Sequence, residues 1–424
     1  MPMMITSIEV YDLFGVYAYH LQFAKGLNYI HSPNGYGKST LMQLIYSALR
    51  GDVRSIEETP FSRLDIRFDD GSALIIEKNQ GDMLIQMQKN ELESPVTAEE
   101  MAEICRINYI PPERTVIRKG DGHLVPAVES YAKELSESIR SAKEHSALSP
   151  CDTSWLAGKG DAELDGIAKD LKAKMDFLAD AGFVPEIPPG YRFPPSRYEL
   201  GENREGYIGI MASLKAYVDA NAVLAESVVV FKDIINDVFI NKTIDITESG
   251  KIVVNLSNGD SIPLSKLSSG EKEMLIIFYN LLFHTDPGSV VILDEPEISL
   301  HVSWQQRMGG FFTDICRVRD LQMIVATHSP QIIHDRWDQA VELIPDDARV
   351  PDLGRSGQPD LHDEVRPQGA DNGGGGVVRP QDVCQIRPFR REHPDSPLQG
   401  GRDVHGEEAP DQAQRPQGLR DSGQ

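Results

Sequence analysis

The feature that most constrains this chain is a glycine-rich loop at residues 32–40, with the sequence SPNGYGKST. It lies between an apolar stretch at residues 27–30, which predicts a strand, and a helical pattern at residues 39–50. The spacing fits the phosphate-binding pattern Gly-x4-Gly-Lys-Ser/Thr, except that Ser32 stands where the first glycine is usual. Because the other positions and the strand–helix context are retained, we expect the loop to bind phosphate groups.

The loop holds the residue types that a nucleoside triphosphate and its metal ion need. Gly35 and Gly37 let the backbone wrap closely around phosphate oxygens, and Lys38 can reach the β- and γ-phosphates. The Ser39 hydroxyl can ligate Mg²⁺, and the helix that follows presents its N-terminus to the anion. The predicted cofactors are therefore ATP and Mg²⁺. The predicted ATP-binding residues are Asn34, Gly35, Gly37, Lys38, Ser39 and Thr40.

A second element is the run VVILDEPE at residues 290–297. Its apolar part predicts a buried strand that delivers two carboxylates at its C-terminal end, where α/β folds place ligand chemistry. We expect Asp294 to hold Mg²⁺, directly or through water, and Glu295 to polarise the attacking water. A strand end with two solvated acids is the alternative, and the phosphate loop upstream makes it the weaker one.

A third element is the sequence LSSGEK at residues 267–272, directly before a helix predicted over residues 271–284. On its own this sequence is typical of an ordinary helix cap. Its position just ahead of the strand that ends at Asp294 favours a second interpretation. In that interpretation Ser268, Gly270 and the helix N-terminus form another anion site.

A histidine, His328, follows the last strand predicted from the buried pattern, residues 323–326. At the C-terminal end of a strand, an imidazole can contact a γ-phosphate and the attacking water. An isolated histidine is more often structural, but the place of this one at the end of the ordered series favours catalysis. The predicted catalytic residues are Glu295 and His328.

The alternation of strands and helices after about residue 244 is typical of parallel β/α architecture. Before it, residues 63–89 predict an antiparallel meander, and residues 115–238 are mainly helical with a proline-rich break at 185–195. The helical part is too short and too interrupted for a long coiled coil. The predicted fold class is α/β, with a phosphate-loop sheet, an antiparallel β-subdomain and a helical insert at about residues 115–240.

Composition changes abruptly after Pro345. Residues 346–424 are rich in Arg, Gly, Pro, Gln and Asp, contain no lysine and have Phe389 as their only aromatic residue. Such a segment cannot bury enough apolar surface to offset its ordering entropy, so we predict a disordered tail after an ATPase domain at residues 1–345. The tail is either a frameshifted or read-through extension of a GC-rich gene, or a genuine linker or interaction tail.

The bulk composition narrows the cellular setting. Hydrophobic residues make up 40% of the chain and charged residues 25%, as in soluble globular proteins. No apolar run approaches the roughly 18–20 residues that span a bilayer, and the N-terminus lacks a secretory pattern. The four cysteines are far apart, which favours free thiols in the cytoplasm. The net charge of −23 argues against broad binding to phosphate backbones, although it leaves a local basic groove open.

The order of these motifs resembles the ABC ATPase superfamily, with its Walker A loop and Walker B strand, across most of residues 1–345. Within it, the chain looks like the soluble SMC/RecF/OLD-like branch. It is especially similar to small bacterial AAA-type ATP-binding proteins, many of them found in anti-phage defence systems. The segments that carry the resemblance are LFG at 13–15, IPPER at 110–114, KLSSGEK at 266–272, LDEPEISLH at 293–301 and THSPQII at 327–333.

The resemblance implies a mechanism that needs two copies of the chain, so a homodimer or higher oligomer is expected. ATP held by Lys38 and Ser39 of one copy would be covered by the signature segment of the other. Hydrolysis driven by Glu295 would then separate the copies, and the helical insert would transmit the change. The signature residues expected to act in trans are Ser268, Ser269, Gly270 and Glu271. The expected output is control of a separate nuclease or toxin partner in phage defence.

The chain also departs from the family pattern in two places. No clear Q-loop glutamine follows the first strands, and Glu113 and Arg114 occupy that neighbourhood. The metal-dependent nuclease (Toprim) domain of OLD proteins is missing from the pattern, so a nuclease would be a separate chain. The alternative functions are a RecF-like DNA-maintenance ATPase and, less favoured, a transporter ATPase subunit. DNA binding stays open without support from the charge, and no membrane association is predicted.

Overall fold

The computed structural model of this chain describes residues 3–344, except residues 80, 91, 121, 146–150 and 248. The predicted tail at residues 346–424 and the predicted boundary at Pro345 lie outside the described residues, so the division into domains stays a prediction. Within the described part of the chain, no helix is long and apolar enough to span a bilayer.

The described residues form a mixed α/β fold, as predicted. The strands are β1 (Ile5–Leu13), β2 (Tyr17–Gln22), β3 (Leu27–His31), β4 (Arg63–Phe68), β5 (Ala73–Asn79), β6 (Asp82–Lys89), β7 (Leu92–Pro95), β8 (Ile107–Ile110), β9 (Val116–Arg118), β10 (Leu124–Pro126), β11 (Lys242–Ile246), β12 (Ile252–Leu256), β13 (Ser261–Ile262), β14 (Val290–Asp294), β15 (Gln322–Thr327) and β16 (Ala340–Glu342). The helices are α1 (Lys38–Arg50), α2 (Val53–Glu58), α3 (Ala98–Ile104), α4 (Ala127–His145), α5 (Asp161–Asp180), α6 (Arg197–Glu202), α7 (Arg204–Val238), α8 (Ser269–Phe283), α9 (Val302–Arg319) and α10 (Pro330–Ile333).

The centre of the fold is a parallel sheet with the strand order β16-β3-β15-β14-β8. Every residue of β14 and β15 is buried, as expected for parallel strands that are covered on both faces. Asp294 of β14 pairs with Ala326 of β15, and Thr327 of β15 pairs with His31 of β3. The carboxyl ends of these three strands therefore lie side by side, and each leads into one of the predicted motifs.

Alternate residues of β14 face two different cores, because successive side chains of a strand point to opposite faces. Val291 and Leu293 belong to a core that also contains α8 and α9. Val290 and Ile292 belong to a second core with α1 and with the antiparallel sheet, whose order is β2-β1-β4-β5-β6-β7. Helix α1 is thus anchored on the second face, and the loop before it meets the strand ends.

The helical insert predicted at about residues 115–240 contains helices α4 to α7. Helix α7 has 35 residues and packs against α5 and α8. Apolar residues at helical spacing in α5 and α7, such as Leu171, Leu178, Leu214 and Val218, are buried. The buried residues of the insert are therefore part of the same hydrophobic core as those of α8 and α9.

Most predicted elements are confirmed to within one or two residues at each end. The helix predicted at 39–50 is α1, and the one predicted at 271–284 is α8. The prediction missed α2, α3, β7, the β9–β10 hairpin, β13, α10 and β16. All of these are short, and short segments do not carry a full apolar period. Capping signals could have found two of them, since Asp52 caps α2 and Thr97 forms a capping box with Glu100 in α3.

Candidate functional site

The glycine-rich loop connects β3 to α1, as predicted. Gly35 and Gly37 have φ values of +91° and +75°, a left-handed conformation that favours glycine. Gly37 is the N-cap of α1, and a Cβ at this position would come within 3.1 Å of Cε2 of Phe14. The loop is exposed at Asn34 and Ser39 and half-buried at Gly37 and Thr40. The left-handed φ, together with the close approach of Phe14 from the LFG segment, disfavours a side chain at position 37.

Lys38 is buried, and its Nζ makes three hydrogen bonds of ordinary length. It donates to the backbone O of Ser32 at 2.9 Å, to Oγ of Ser32 at 3.0 Å and to Nδ1 of His328 at 2.9 Å. Ser32, which departs from the usual glycine, therefore contributes a hydroxyl to the lysine. Burial lowers the pKa of Lys38, and the nearby carboxylates, Glu295 foremost, oppose that shift.

Asp294 is fully buried at the end of β14. Its Oδ2 accepts a hydrogen bond from the OH of Tyr109 at 3.1 Å, whereas Oδ1 is buried and has no hydrogen-bond partner among the described residues. Burial raises the pKa of Asp294, and interactions with Ser39 and Tyr109 partly offset the rise. A carboxylate oxygen without a partner, beside a serine hydroxyl, fits the oxygen ligands that Mg²⁺ prefers.

A group of three or more His, Cys, Asp or Glu residues that could hold a metal ion does not occur in the described part of the chain. A nucleotide-bound Mg²⁺ needs fewer protein ligands, because phosphate oxygens and water complete its shell.

Cys105 and Cys316 are buried free thiols, and burial raises the pKa of each to about 12. Cys384 lies outside the described residues.

Glu295 and His328 meet at the ends of neighbouring strands. Oε1 of Glu295 lies 2.9 Å from Nε2 of His328. Nδ1 of His328 lies 2.9 Å from Nζ of Lys38 and also 2.9 Å from the backbone O of Ser32. A proton on Nδ1 would be donated to Ser32, whereas a neutral imidazole that donates from Nε2 to an ionised Glu295 leaves Nδ1 to accept from Lys38. The three residues therefore form a hydrogen-bonded chain, which we call the Glu295–His328–Lys38 chain. Glu295 also has a φ of +45°, which is uncommon for a residue with a side chain.

A carboxylate without an assigned role, Glu297, holds the segment that carries His328. Its Oε1 accepts hydrogen bonds from Oγ1 of Thr327 at 2.8 Å, from the N–H of His328 at 2.6 Å and from the N–H of Ser329 at 3.1 Å. These donors come from three consecutive residues at the end of β15. Glu297 therefore fixes the direction in which His328 leaves the strand.

Arg114 is buried in the neighbourhood where a Q-loop glutamine was expected. Its Nε donates to Oε2 of Glu273 in α8 at 2.7 Å. Its two terminal nitrogens donate to the backbone oxygens of Asp294 and Glu295, each at 3.1 Å, and one of them also donates to O of Pro111 at 3.0 Å. One side chain thus touches both the helix of the signature segment and the carboxylate turn.

The signature segment forms a capping box at the start of α8. Oγ of Ser268 accepts from the N–H of Glu271 at 3.3 Å, and Oε2 of Glu271 accepts from the N–H of Ser268 at 2.8 Å. Oε1 of Glu271 accepts from Nζ of Lys242 at 2.7 Å. Burial alone would raise the pKa of Glu271, but the bonds from Lys242 and Ser268 together lower it. The ordinary cap considered from the sequence is therefore present.

The segment is also closely packed at one residue and open at two. A Cβ on Gly270 would come within 2.7 Å of the backbone O of Ser299, so the helix start is seated against the turn after β14. Ser268 and Ser269 are exposed. Among the described residues, no hydrogen bond joins the segment at 268–271 to the loop at 32–40. Its role toward a second copy stays a prediction.

Models of known domain families match both halves of the chain. A model described as "AAA domain" matches residues 14–148, and one described as "AAA domain, putative AbiEii toxin, Type IV TA system" matches residues 178–334. The matched residues include the loop, Arg114, the Asp294–Glu295 turn and His328. The chain contains an AAA-type ATPase domain.

This ATPase domain is similar in sequence to two bacterial proteins. It is 30% identical over 96 residues to the "Retron Ec83 probable ATPase" of Escherichia coli, a match that covers 22% of this chain and 17% of that protein. It is 22% identical over 351 residues to "Septu protein PtuA" of Bacillus thuringiensis, covering 78% of this chain and 73% of that protein. The chain thus spans less than a fifth of the length of the retron protein and most of the length of the Septu protein.

Solved structures of SMC heads also resemble the ATPase domain. The SMC head bound to the C-winged helix domain of ScpA has a TM-score of 0.42 at 14% identity, covering 80% of this chain and 93% of that one. The SMC head domain from Thermotoga maritima has a TM-score of 0.38 at 14% identity, covering 79% of this chain and 92% of that one.

Sequence reasoning assigned no role to three residues that the structure brings to the site. Tyr109 and Glu297 lie in or beside segments that carry the family resemblance, so their positions were available but their contacts were not. Glu273 lies two residues after the signature segment, and nothing in the sequence distinguishes it from a solvated helix residue. Only the fold shows that it is buried against Arg114.

Proposed function

We propose that this ATPase domain binds ATP with Mg²⁺ and hydrolyses it to ADP and phosphate. The observation that carries the proposal is the Glu295–His328–Lys38 chain, which joins a phosphate-binding lysine to a carboxylate through one imidazole. The loop at residues 32–40 would hold the phosphates. Asp294 and Ser39 would hold Mg²⁺, which when bound neutralises charge on the β- and γ-phosphate oxygens.

Glu295 would act on the water that attacks the γ-phosphorus. As the new P–O bond forms and the bond to the β-phosphate oxygen breaks, the water proton would pass to the Glu295 carboxylate. His328 would hold that carboxylate in place through Nε2–H, since Glu297 in turn fixes the His328 backbone. Lys38 would exchange its contacts within the loop for phosphate oxygens.

We further propose that two copies of the chain complete each site and separate after hydrolysis. Support comes from Ser268 and Ser269, which are exposed at the N-terminus of a 15-residue helix that can receive an anion. In trans, the segment at 268–271 would cover a γ-phosphate held by the loop of the other copy. ATP binding would then favour the dimer, and hydrolysis would reverse it.

The test uses Glu295→Gln, which keeps the side-chain shape and removes the base. We expect hydrolysis to slow by about 10²–10⁴-fold, and an ATP-bound dimer to accumulate in size-exclusion chromatography with light scattering. Glu103→Gln is the matched control, because Glu103 is an exposed carboxylate on α3. A wild-type rate of hydrolysis in Glu295→Gln would contradict the catalytic assignment. If Glu295→Gln remains a monomer at high concentration with ATP and Mg²⁺, the proposal that two copies complete each site is wrong.

The biological output that we propose is control of a separate effector, a nuclease or toxin, in anti-phage defence. Similarity to a retron ATPase and to a Septu protein supports this role. The rival is DNA maintenance of the RecF kind. Purified ATPase should be stimulated by the product of a neighbouring gene and not by DNA ends or gaps; stimulation by DNA alone would favour the rival.

A further inference from the structure

We propose that Arg114 is a positioning residue for hydrolysis, which sets the backbone of the Asp294–Glu295 turn and is itself held by Glu273 of α8. The inference rests on the proposed hydrolysis by Glu295. It assigns a role to a side chain in the neighbourhood where a Q-loop glutamine was expected.

The contacts of Arg114 are those of a buried fork between two motifs. The side chains of Arg114 and Glu273 are each only 3% exposed. The guanidinium donates to two consecutive backbone oxygens, those of Asp294 and Glu295. A planar group with several fixed donors can hold two adjacent carbonyls at once, whereas a lysine ammonium cannot reproduce that geometry.

The turn that Arg114 contacts needs such support. Glu295 adopts a left-handed φ of +45°, a conformation that costs on the order of 1–2 kcal/mol for a residue with a side chain. Asp294 precedes it directly and brings the carboxylate that fits Mg²⁺. Contacts from outside the turn must therefore hold the backbone if both carboxylates are to keep their directions.

Glu273 connects this support to the signature segment. It lies in α8, two residues beyond Glu271 and five residues beyond Ser268, the N-cap. A displacement of α8 would move Glu273, and through Arg114 it would shift the oxygens of Asp294 and Glu295. Arg114 therefore makes the hydrolytic carboxylate sensitive to the position of the helix that is proposed to meet a second copy.

The test measures kcat, the KM for ATP, nucleotide affinity and Tm for Arg114→Lys. We expect kcat to fall by about 10–100-fold, with the KM and the affinity for ATP within about threefold of wild type. Arg319→Lys is the matched control. Arg319 also donates to a backbone oxygen, that of Thr285, and to Oγ of Ser227, and its contacts lie outside the site. Arg319→Lys should lower Tm and leave kcat unchanged.

A second variant, Glu273→Gln, keeps an oxygen that can accept from Arg114 and tests the link if Arg114→Lys does not fold. Its kcat should fall by less than that of Arg114→Lys, again at constant KM. A wild-type kcat in folded Arg114→Lys would overturn the positioning role. If Arg114→Lys does not fold, a wild-type kcat in Glu273→Gln would overturn it instead. In either case, an inactive Glu295→Gln would leave the proposed function intact. A Glu295→Gln that hydrolyses ATP like wild type would overturn both.

Discussion

Oε1 of Glu295 lies 2.9 Å from Nε2 of His328, and the sheet itself sets this distance. The two residues follow β14 and β15, whose ends pair through Asp294 and Ala326. The N–H of Glu295 also donates to the backbone O of Ala326 at 2.8 Å. Because the backbones are joined one residue before Glu295 and two residues before His328, the carboxylate and the imidazole are preorganised by the fold.

Replacing Lys38 by alanine should weaken ATP binding by at least about 10–100-fold, because a charge-assisted contact to phosphate is lost. Isothermal titration with ATP and Mg²⁺ measures this directly. Lys25→Ala is the control, since Lys25 forms an exposed ion pair with Asp320 away from the loop. Unchanged affinity in Lys38→Ala would remove the assignment of residues 32–40 as the phosphate-binding loop.

Asp294→Asn should raise the Tm of the nucleotide-free protein at about pH 8 and abolish the Mg²⁺-dependent part of ATP affinity. Burial raises the pKa of Asp294. A raised pKa in the folded state contributes stability below the unfolded pKa, and that contribution is lost as pH rises through the folded value. The gain in Asp294→Asn should therefore shrink as pH falls towards about 4.

Calorimetry across this pH range checks the prediction, with Asp65→Asn as a contrasting variant. Asp65 is also buried, but both of its oxygens accept hydrogen bonds from Arg63. Its replacement should lower Tm at about pH 8, since it breaks a partly buried ion pair. If Asp294→Asn is instead destabilised at high pH, the ionised Asp294 must be better paired than its contacts indicate.

Ser269→Glu should abolish ATP-dependent dimerisation without unfolding the chain. A glutamate in the first turn of α8 interacts favourably with the helix dipole and should stabilise the folded state by about 0.3–1 kcal/mol, so Tm should stay the same or rise. In a composite site the added carboxylate would face the γ-phosphate of the other copy and repel it. Ser269→Gln, of the same length and without charge, should dimerise more readily than Ser269→Glu.

Mixing two inactive variants sharpens this test. Lys38→Ala lacks the loop lysine and Ser269→Glu lacks a usable signature, but a mixed dimer contains one site with both parts intact. Statistical mixing in a two-fold dimer should restore about one quarter of wild-type turnover. Absence of any recovery, with both variants folded, would argue for a site completed within one chain.

Glu297→Ala should lower kcat by about 10-fold or more through misplacement of His328, with Glu297→Gln largely active. Within the described part of the chain, only Oε1 of Glu297 accepts hydrogen bonds, and glutamine retains an oxygen that can take that position. Steady-state kinetics of the pair, with Tm as the check on folding, separates a geometric role from a charge effect. Equal loss in both variants would show that the charge matters more than the three accepted bonds.

The sequence was informative wherever a local pattern determines local structure. The glycines of the loop, the apolar runs of β14 and β15 and the helical spacing of α1 and α8 predicted these elements closely. The contacts of Arg114 could not be predicted, because its partners are 159 and 180 residues away along the chain. The same holds for Tyr109, which reaches Asp294 across 185 residues. Such pairings depend on strand order, which a single sequence does not specify.

Pairing of Asp294 with Ala326 also determines where this chain can gain or lose residues. One inserted residue between Ala326 and His328 would displace the imidazole by about 3.3 Å, one strand step, and break its contact with Glu295. The proline-rich connection at residues 185–195, between α5 and α6, is not constrained by the pairing of β14 with β15. Insertions and deletions among related chains should therefore accumulate in this connection and be excluded from the few residues that follow β14 and β15.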